Sequence, residues 1–127
     1  MMDQPSMREL VEAVRAFLEQ RAMPELKGHT AFHARVAANA LAIIARQLER
    51  GAQSDADELQ GLRALLGRDG ALEELNRALC RAIRGGDIDI LSPELQQHLE
   101  RTARAKIEID QPNYSGLRIA RKRDAPT

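Results

Sequence analysis

The chain has 127 residues, 43% of them apolar and 30% charged, with 19 basic residues against 19 acidic ones. That length suits one domain, which would bury roughly two-thirds of its unfolded surface. Zero net charge disfavours a strongly basic nucleic-acid binder, and the single cysteine, Cys80, excludes an internal disulfide and fits a reducing, cytoplasmic setting. The aromatic residues are Phe17, Phe32 and Tyr114, and the apolar mass is mostly Ala and Leu, which points away from strands. No run of 18 apolar residues occurs, and Met1–Gln4 has no basic-then-apolar leader pattern, so no membrane association is expected.

The first helix is announced by Ser6 and Glu9, the pair of a capping box, with Pro5 in the preceding turn. Met7, Leu10, Val11, Val14, Phe17 and Leu18 fall on one stripe, which is expected to face the core, and Pro24 ends the helix or turns the chain just after it. A second, central helix is expected from about Thr30 to Arg50, stopped by Gly51, with Phe32, Val36, Ala40, Ile43 and Ile44 on one face. Arg46 and Arg50 would then meet the negative end of its dipole. Ser54 opens a third helix, in which Leu59, Leu62, Leu65 and Leu66 face inward and Gly67 is the stop. Asp69 and Gly70 open a fourth, with Leu72, Leu75, Leu79 and Ile83 inward and Gly85–Gly86 at its end.

Ile88–Asp89–Ile90 reads as an extended connector with two anchoring isoleucines. Ser92, Pro93 and Glu94 start the fifth helix, striped by Leu95, Leu99, Ala103 and Ile107, and Pro112 ends it. The pattern predicts an all-α fold, a single-domain antiparallel bundle of about five helices over residues 3–114. Residues 115–127 carry Arg118, Arg121, Lys122 and Arg123 with little apolar material and are expected to be a mobile basic tail.

Chemistry has few places to reside. His29 and His33, four apart, suit one helix face toward a metal, with Cys80 and His98 as distant further ligands; this makes a small metal-dependent enzyme or metal-binding module the alternative reading. No metal or cofactor site is assigned, and no catalytic residue. Cys80 is expected to pack as a small buried thiol. A nucleic-acid binder acting through the tail is a third reading. The informative stretch is Phe32–Leu41, where His33, Arg35 and Asn39 interrupt a helix of Ala and aliphatics. Asn competes for backbone hydrogen bonds and is a poor mid-helix residue, so it either ties the bundle together or faces a partner.

Three ordered motifs carry a resemblance: Asp3 and Pro5 with Glu9-Leu10-Val11, Ala13-Val14 and Phe17-Leu18; then Phe32–Leu41; then Lys106–Tyr114. Together they resemble a small bacterial helical domain family of unknown function, over about Asp3 to Tyr114. One position departs, Gln111, where the family pattern has Asn. Members are found beside aminoglycoside-phosphotransferase-like kinases and acyl-CoA dehydrogenases, and one branch resembles the accessory subunit of the hydroxyacyl-CoA kinase of levulinate catabolism. The resemblance implies a non-catalytic partner of a kinase in acyl-CoA metabolism. It implies His33, Arg35, Asn39, Lys106, Asp110 and Tyr114 as partner-binding residues, with Arg35 and Lys106 as a basic rim for phosphates. The alternatives are internal: Arg35 pairing with Asp110, and Tyr114 locking the C-terminal loop onto the central helix. An Ala-rich central helix also allows packing against a second copy.

Overall fold

The computed structural model describes residues 4–126; Met1, Met2, Asp3 and Thr127, and with them the Asp3 of the opening motif, lie outside the described residues. The fold is all-α, with no strand among the described residues. Its elements are α1 (Met7–Phe17), a π-helical stretch (Leu18–Ala22), α2 (Met23–Glu25), α3 (Gly28–Leu66), α4 (Leu72–Arg84), α5 (Pro93–Asp110) and α6 (Ser115–Asp124). The chain divides into two compact units, Met1–Gly51 and Ala52–Thr127.

In the N-terminal unit, the Ser6 hydroxyl caps α1 by accepting the Glu9 N–H at 3.2 Å. The helical backbone runs on past Phe17 to Glu25 by way of the π-helical stretch. Pro24 has no N–H for an i→i−4 bond, and a widened turn just before it accommodates the missing donor. Leu26 is extended, so the chain turns there, just beyond Pro24. Arg8 of α1 makes a surface ion pair with Glu49 of α3 at 3.4 Å.

The sequence reading divides α3 at Gly51, but it is one helix of 39 residues. A helical Gly costs about 1 kcal/mol relative to Ala, too little to stop a helix whose next residues are good helix formers. Arg46 and Arg50 therefore sit mid-helix rather than in a last turn. Gly67 (φ +66°) is the actual stop, its left-handed backbone open to Gly at no steric cost. The expected inward stripe is also reversed. Ala34, Ala38, Ala42 and Ala45 are buried, whereas Phe32, Val36 and Ile44 are about half exposed. No residue of α1 is buried, and Phe17 is 59% exposed.

The C-terminal unit holds the core. Leu62 of α3, Leu75 and Leu79 of α4 and Leu95 of α5 form its centre, and Leu59, Leu65, Leu66, Leu72, Ile83 and Ile88 pack around them. These match the stripes expected for the third and fourth helices. Ile88 anchors the connector, but Ile90 is exposed. Helix α4 begins at Leu72 behind Ala71, not at Asp69; the Asp69 carboxylate instead accepts the Gly70 N–H at 2.8 Å and the Arg63 guanidinium at 2.6 Å. On α5 the buried residues are Leu95, His98 and Ile109, while Leu99 is half exposed. A polar residue thus occupies an inward position that the apolar pattern assigns to its neighbour.

The expected tail is the helix α6. It lies on α5 through Leu117, 2% exposed, and through ion pairs of Arg104 with Asp124 (2.5 Å), Arg121 with Glu108 (3.4 Å) and Arg123 with Glu100. One leucine and a set of charge pairs replace the apolar stripe that the segment lacks.

Leu62→Ala is expected to destabilise the protein by about 2–5 kcal/mol in urea denaturation, because it empties the centre of the core. Phe17→Ala in the isolated monomer should cost well under the ~3 kcal/mol of a buried ring.

Candidate functional site

The C-terminal unit carries a groove of about 620 Å³ along α4, walled by α3 and closed at one side by Lys106 of α5. Arg77, Arg81 and Arg84 line it at spacings of four and three, which places all three on one face of α4. At its floor lies Glu58, a buried carboxylate. The Asn76 amide donates to its Oε1 at 3.0 Å, and the Lys106 ammonium stands 3.5 Å from the same oxygen. An ionised group so placed needs both partners, since a charge removed from water without compensation is strongly disfavoured.

The cations divide into two kinds. Arg77 is tied to Glu73 at 2.5 Å and Lys106 to Glu58. Arg81 and Arg84 make no ion pair among the described residues, and of the three carboxylates in the groove only Asp55 is likewise unpaired. Two guanidiniums free to turn their donor forks toward one ligand are suited to phosphate or carboxylate. Cys80 lies on the same wall and is exposed, contrary to the expected buried thiol. Its apolar neighbours Ala78 and Leu79 take the inward positions instead.

Behind the floor, His98 is 3% exposed, and a methyl group placed on Gly61 would run into its imidazole ring. The bare glycine is therefore what lets α5 bring His98 against α3. Burial pushes the His98 imidazole below its ordinary value; the Glu58 carboxylate pulls it up, and Arg101 and Lys106 push it down.

The six partner-binding candidates from the sequence are all at the surface. His33, Arg35 and Asn39 are exposed on α3 in the N-terminal unit. The His33 ring meets the Phe32 ring edge to face, 5.5 Å between centroids. Arg35 makes no ion pair among the described residues. Lys106, Asp110 and Tyr114 are exposed in the C-terminal unit, and the Tyr114 ring lies over Gly116, at the start of α6. Of the six, the structure places only Lys106 in the groove. Glu58, Asn76, Arg81 and Arg84 escaped the sequence reading. Arg81 and Arg84 have the form of ordinary last-turn basic residues, and Glu58 and Asn76 are 18 positions apart, a separation that carries no local signal.

His29 and His33 are both exposed, and no group of three His, Cys, Asp or Glu side chains among the described residues is arranged to hold a metal. The basic run of the C-terminal segment is largely engaged, Arg121 with Glu108 and Arg123 with Glu100 and Asp124. No helix among the described residues is long and apolar enough to cross a membrane.

Residues 24–114 match the family model described as a domain of unknown function, DUF6285. The chain belongs to this family. The DUF6285 match contains α3, α4 and α5 entire and ends at Tyr114, the last residue of the closing motif. It leaves out α1, so the opening motif around Glu9 and Phe17 lies outside the matched span, as does α6. No curated protein and no solved structure matches the chain. The groove and the Phe32–Leu41 segment both fall within the DUF6285 span.

Gly61→Ala is expected to destabilise by about 1–3 kcal/mol, read as a lowered urea midpoint, because a buried ring must move to admit the methyl. The lowered value of His98 also has a signed consequence. As pH falls below about 6.5, the unfolded chain takes up a proton that the buried imidazole resists, so the His98 contribution is complete above that value and is lost on acidification toward its lowered value. Urea midpoints at about pH 7.5 and 5.5 should therefore differ more for the native sequence than for His98→Gln. An equal loss in both would contradict this role.

Proposed function

We propose that the chain is a non-catalytic accessory subunit of a phosphotransferase-fold kinase that acts on hydroxyacyl-CoA-type substrates. The observation that carries this reading is the pair Arg81 and Arg84, unpaired guanidiniums on one wall of a groove whose other charged side chains, Asp55 apart, are already engaged. Phosphoryl transfer depends on positioning and on charge stabilisation, and an acyl-CoA substrate presents several phosphates away from the reacting hydroxyl. A helical subunit that offers two free arginines to those phosphates holds the substrate without touching the reacting atoms. Binding energy from a remote part of the substrate then serves orientation at the reacting centre.

The resemblance of Phe32–Leu41 and Lys106–Tyr114 to the motifs of a family, one branch of which resembles the accessory subunit, supports the same reading. So does the exposure of His33, Arg35, Asn39, Lys106, Asp110 and Tyr114, since contact with a partner polypeptide requires accessible side chains. Lys106 takes part through the groove, where it holds Glu58 in place, rather than as a free phosphate ligand. The phosphate-facing role passes to Arg81 and Arg84.

The test is an assay of a phosphotransferase-fold hydroxyacyl-CoA kinase from the same source, with and without this chain. Added chain should raise the rate on hydroxyacyl-CoA. The double variant Arg81→Gln/Arg84→Gln should still bind the kinase but raise KM for the acyl-CoA by about tenfold or more, since each charged hydrogen bond lost is worth ~1.5–3 kcal/mol. A kinase rate indifferent to the added chain contradicts the reading.

A further inference from the structure

The N-terminal part of α3 shows an apolar ridge in water. Phe32, Val36, Ala40, Ile44 and Leu48 follow one another at intervals of four, the spacing of the side-chain rows that interlock when helices pack. All five are exposed; the four large ones are 59%, 49%, 46% and 47% exposed. The face that α3 buries in this stretch is instead the small one, Ala34, Ala38, Ala42 and Ala45. The ridge presents roughly 400 Å² of apolar side chain, the size of the largest patch on an ordinary monomer, which is often functional.

We infer that this ridge is the interface with a second copy of the chain, two α3 helices packing antiparallel about a two-fold axis at Ala40. The order of the side chains carries the choice of occupant. The ridge reads Phe, Val, Ala, Ile, Leu, which is nearly palindromic in shape about its centre. A two-fold at Ala40 sets Phe32 against Leu48 of the second copy and Val36 against its Ile44. Each β-branched side chain meets another, and each large terminal one meets a large one. The smallest residue lies at the crossing point, where the two backbones come closest. The same operation brings His33 opposite Gln47, a donor–acceptor pair at the edge, both exposed in the single chain.

The area agrees. The apolar patch alone, roughly 400 Å², is about half of the ~800 Å² per partner that a standard complex buries, and the polar residues flanking the ridge would supply the remainder. Charge does not oppose the pairing, since the chain has 19 basic and 19 acidic residues. This inference does not rest on the kinase reading: a monomer would leave that reading in place, and an indifferent kinase would leave the dimer in place.

Sedimentation equilibrium of the full chain should give twice the monomer mass. Ala40→Glu, at a position exposed in the single chain, should give the monomer mass with unchanged helical circular dichroism. In a Cys80→Ser background, Ala40→Cys should form a disulfide-linked dimer on mild oxidation, and Val14→Cys on α1 should not. A monomer mass for the unsubstituted chain at high micromolar concentration would overturn the proposal. So would a dimer that survives Ala40→Glu, or an Ala40→Cys protein that cross-links no better than Val14→Cys.

Discussion

The structure turns on which side of α3 is dry. Along its N-terminal part the buried face is a row of alanines, and the larger apolar side chains are left in water. Alanine makes that burial sterically easy, because it allows close approach and loses no side-chain entropy. It also makes the burial thin, since a buried methyl removes far less area from water than a leucine does. The N-terminal unit therefore gains little from its own interior. The C-terminal unit has the opposite balance, with Leu62, Leu75, Leu79 and Leu95 packed at its centre.

That contrast explains why some elements were legible in the sequence and others were not. The leucine stripes of α4 and of the C-terminal part of α3 read correctly because one period, one residue type and one buried face coincide. The stripe on α1 and the Phe32–Ile44 stripe on α3 have the same period, but amphipathic spacing states only that a face is apolar. It does not state what covers it, and here the single chain does not. Gly51 misled because a glycine within a helix is tolerated where its neighbours favour the helix, while Gly67, with its left-handed backbone, read correctly. The C-terminal segment misled through its composition: its charges are complementary to Glu100 and Glu108 of α5, a match that only the fold brings together.

The polar interior of the C-terminal unit was invisible for a related reason. His98 occupies an inward position of α5 that an apolar pattern passes over, and Gly61, which admits it, has no side chain to read. Glu58 lies beneath Asn76 and Lys106, residues distant in sequence. These groups define a groove whose engaged charges are fixed and whose two free arginines are available. The DUF6285 span encloses the groove and the exposed ridge alike. One of these surfaces is apolar and the other is lined by arginines.

Backbone hydrogen exchange measured against protein concentration tests the central claim most directly. If residues 32–48 are covered by another polypeptide of the same kind, their amides should exchange progressively more slowly as concentration rises, while those of 55–66 change little. Exchange over 32–48 that is the same in dilute and concentrated protein would show that the ridge stays in water.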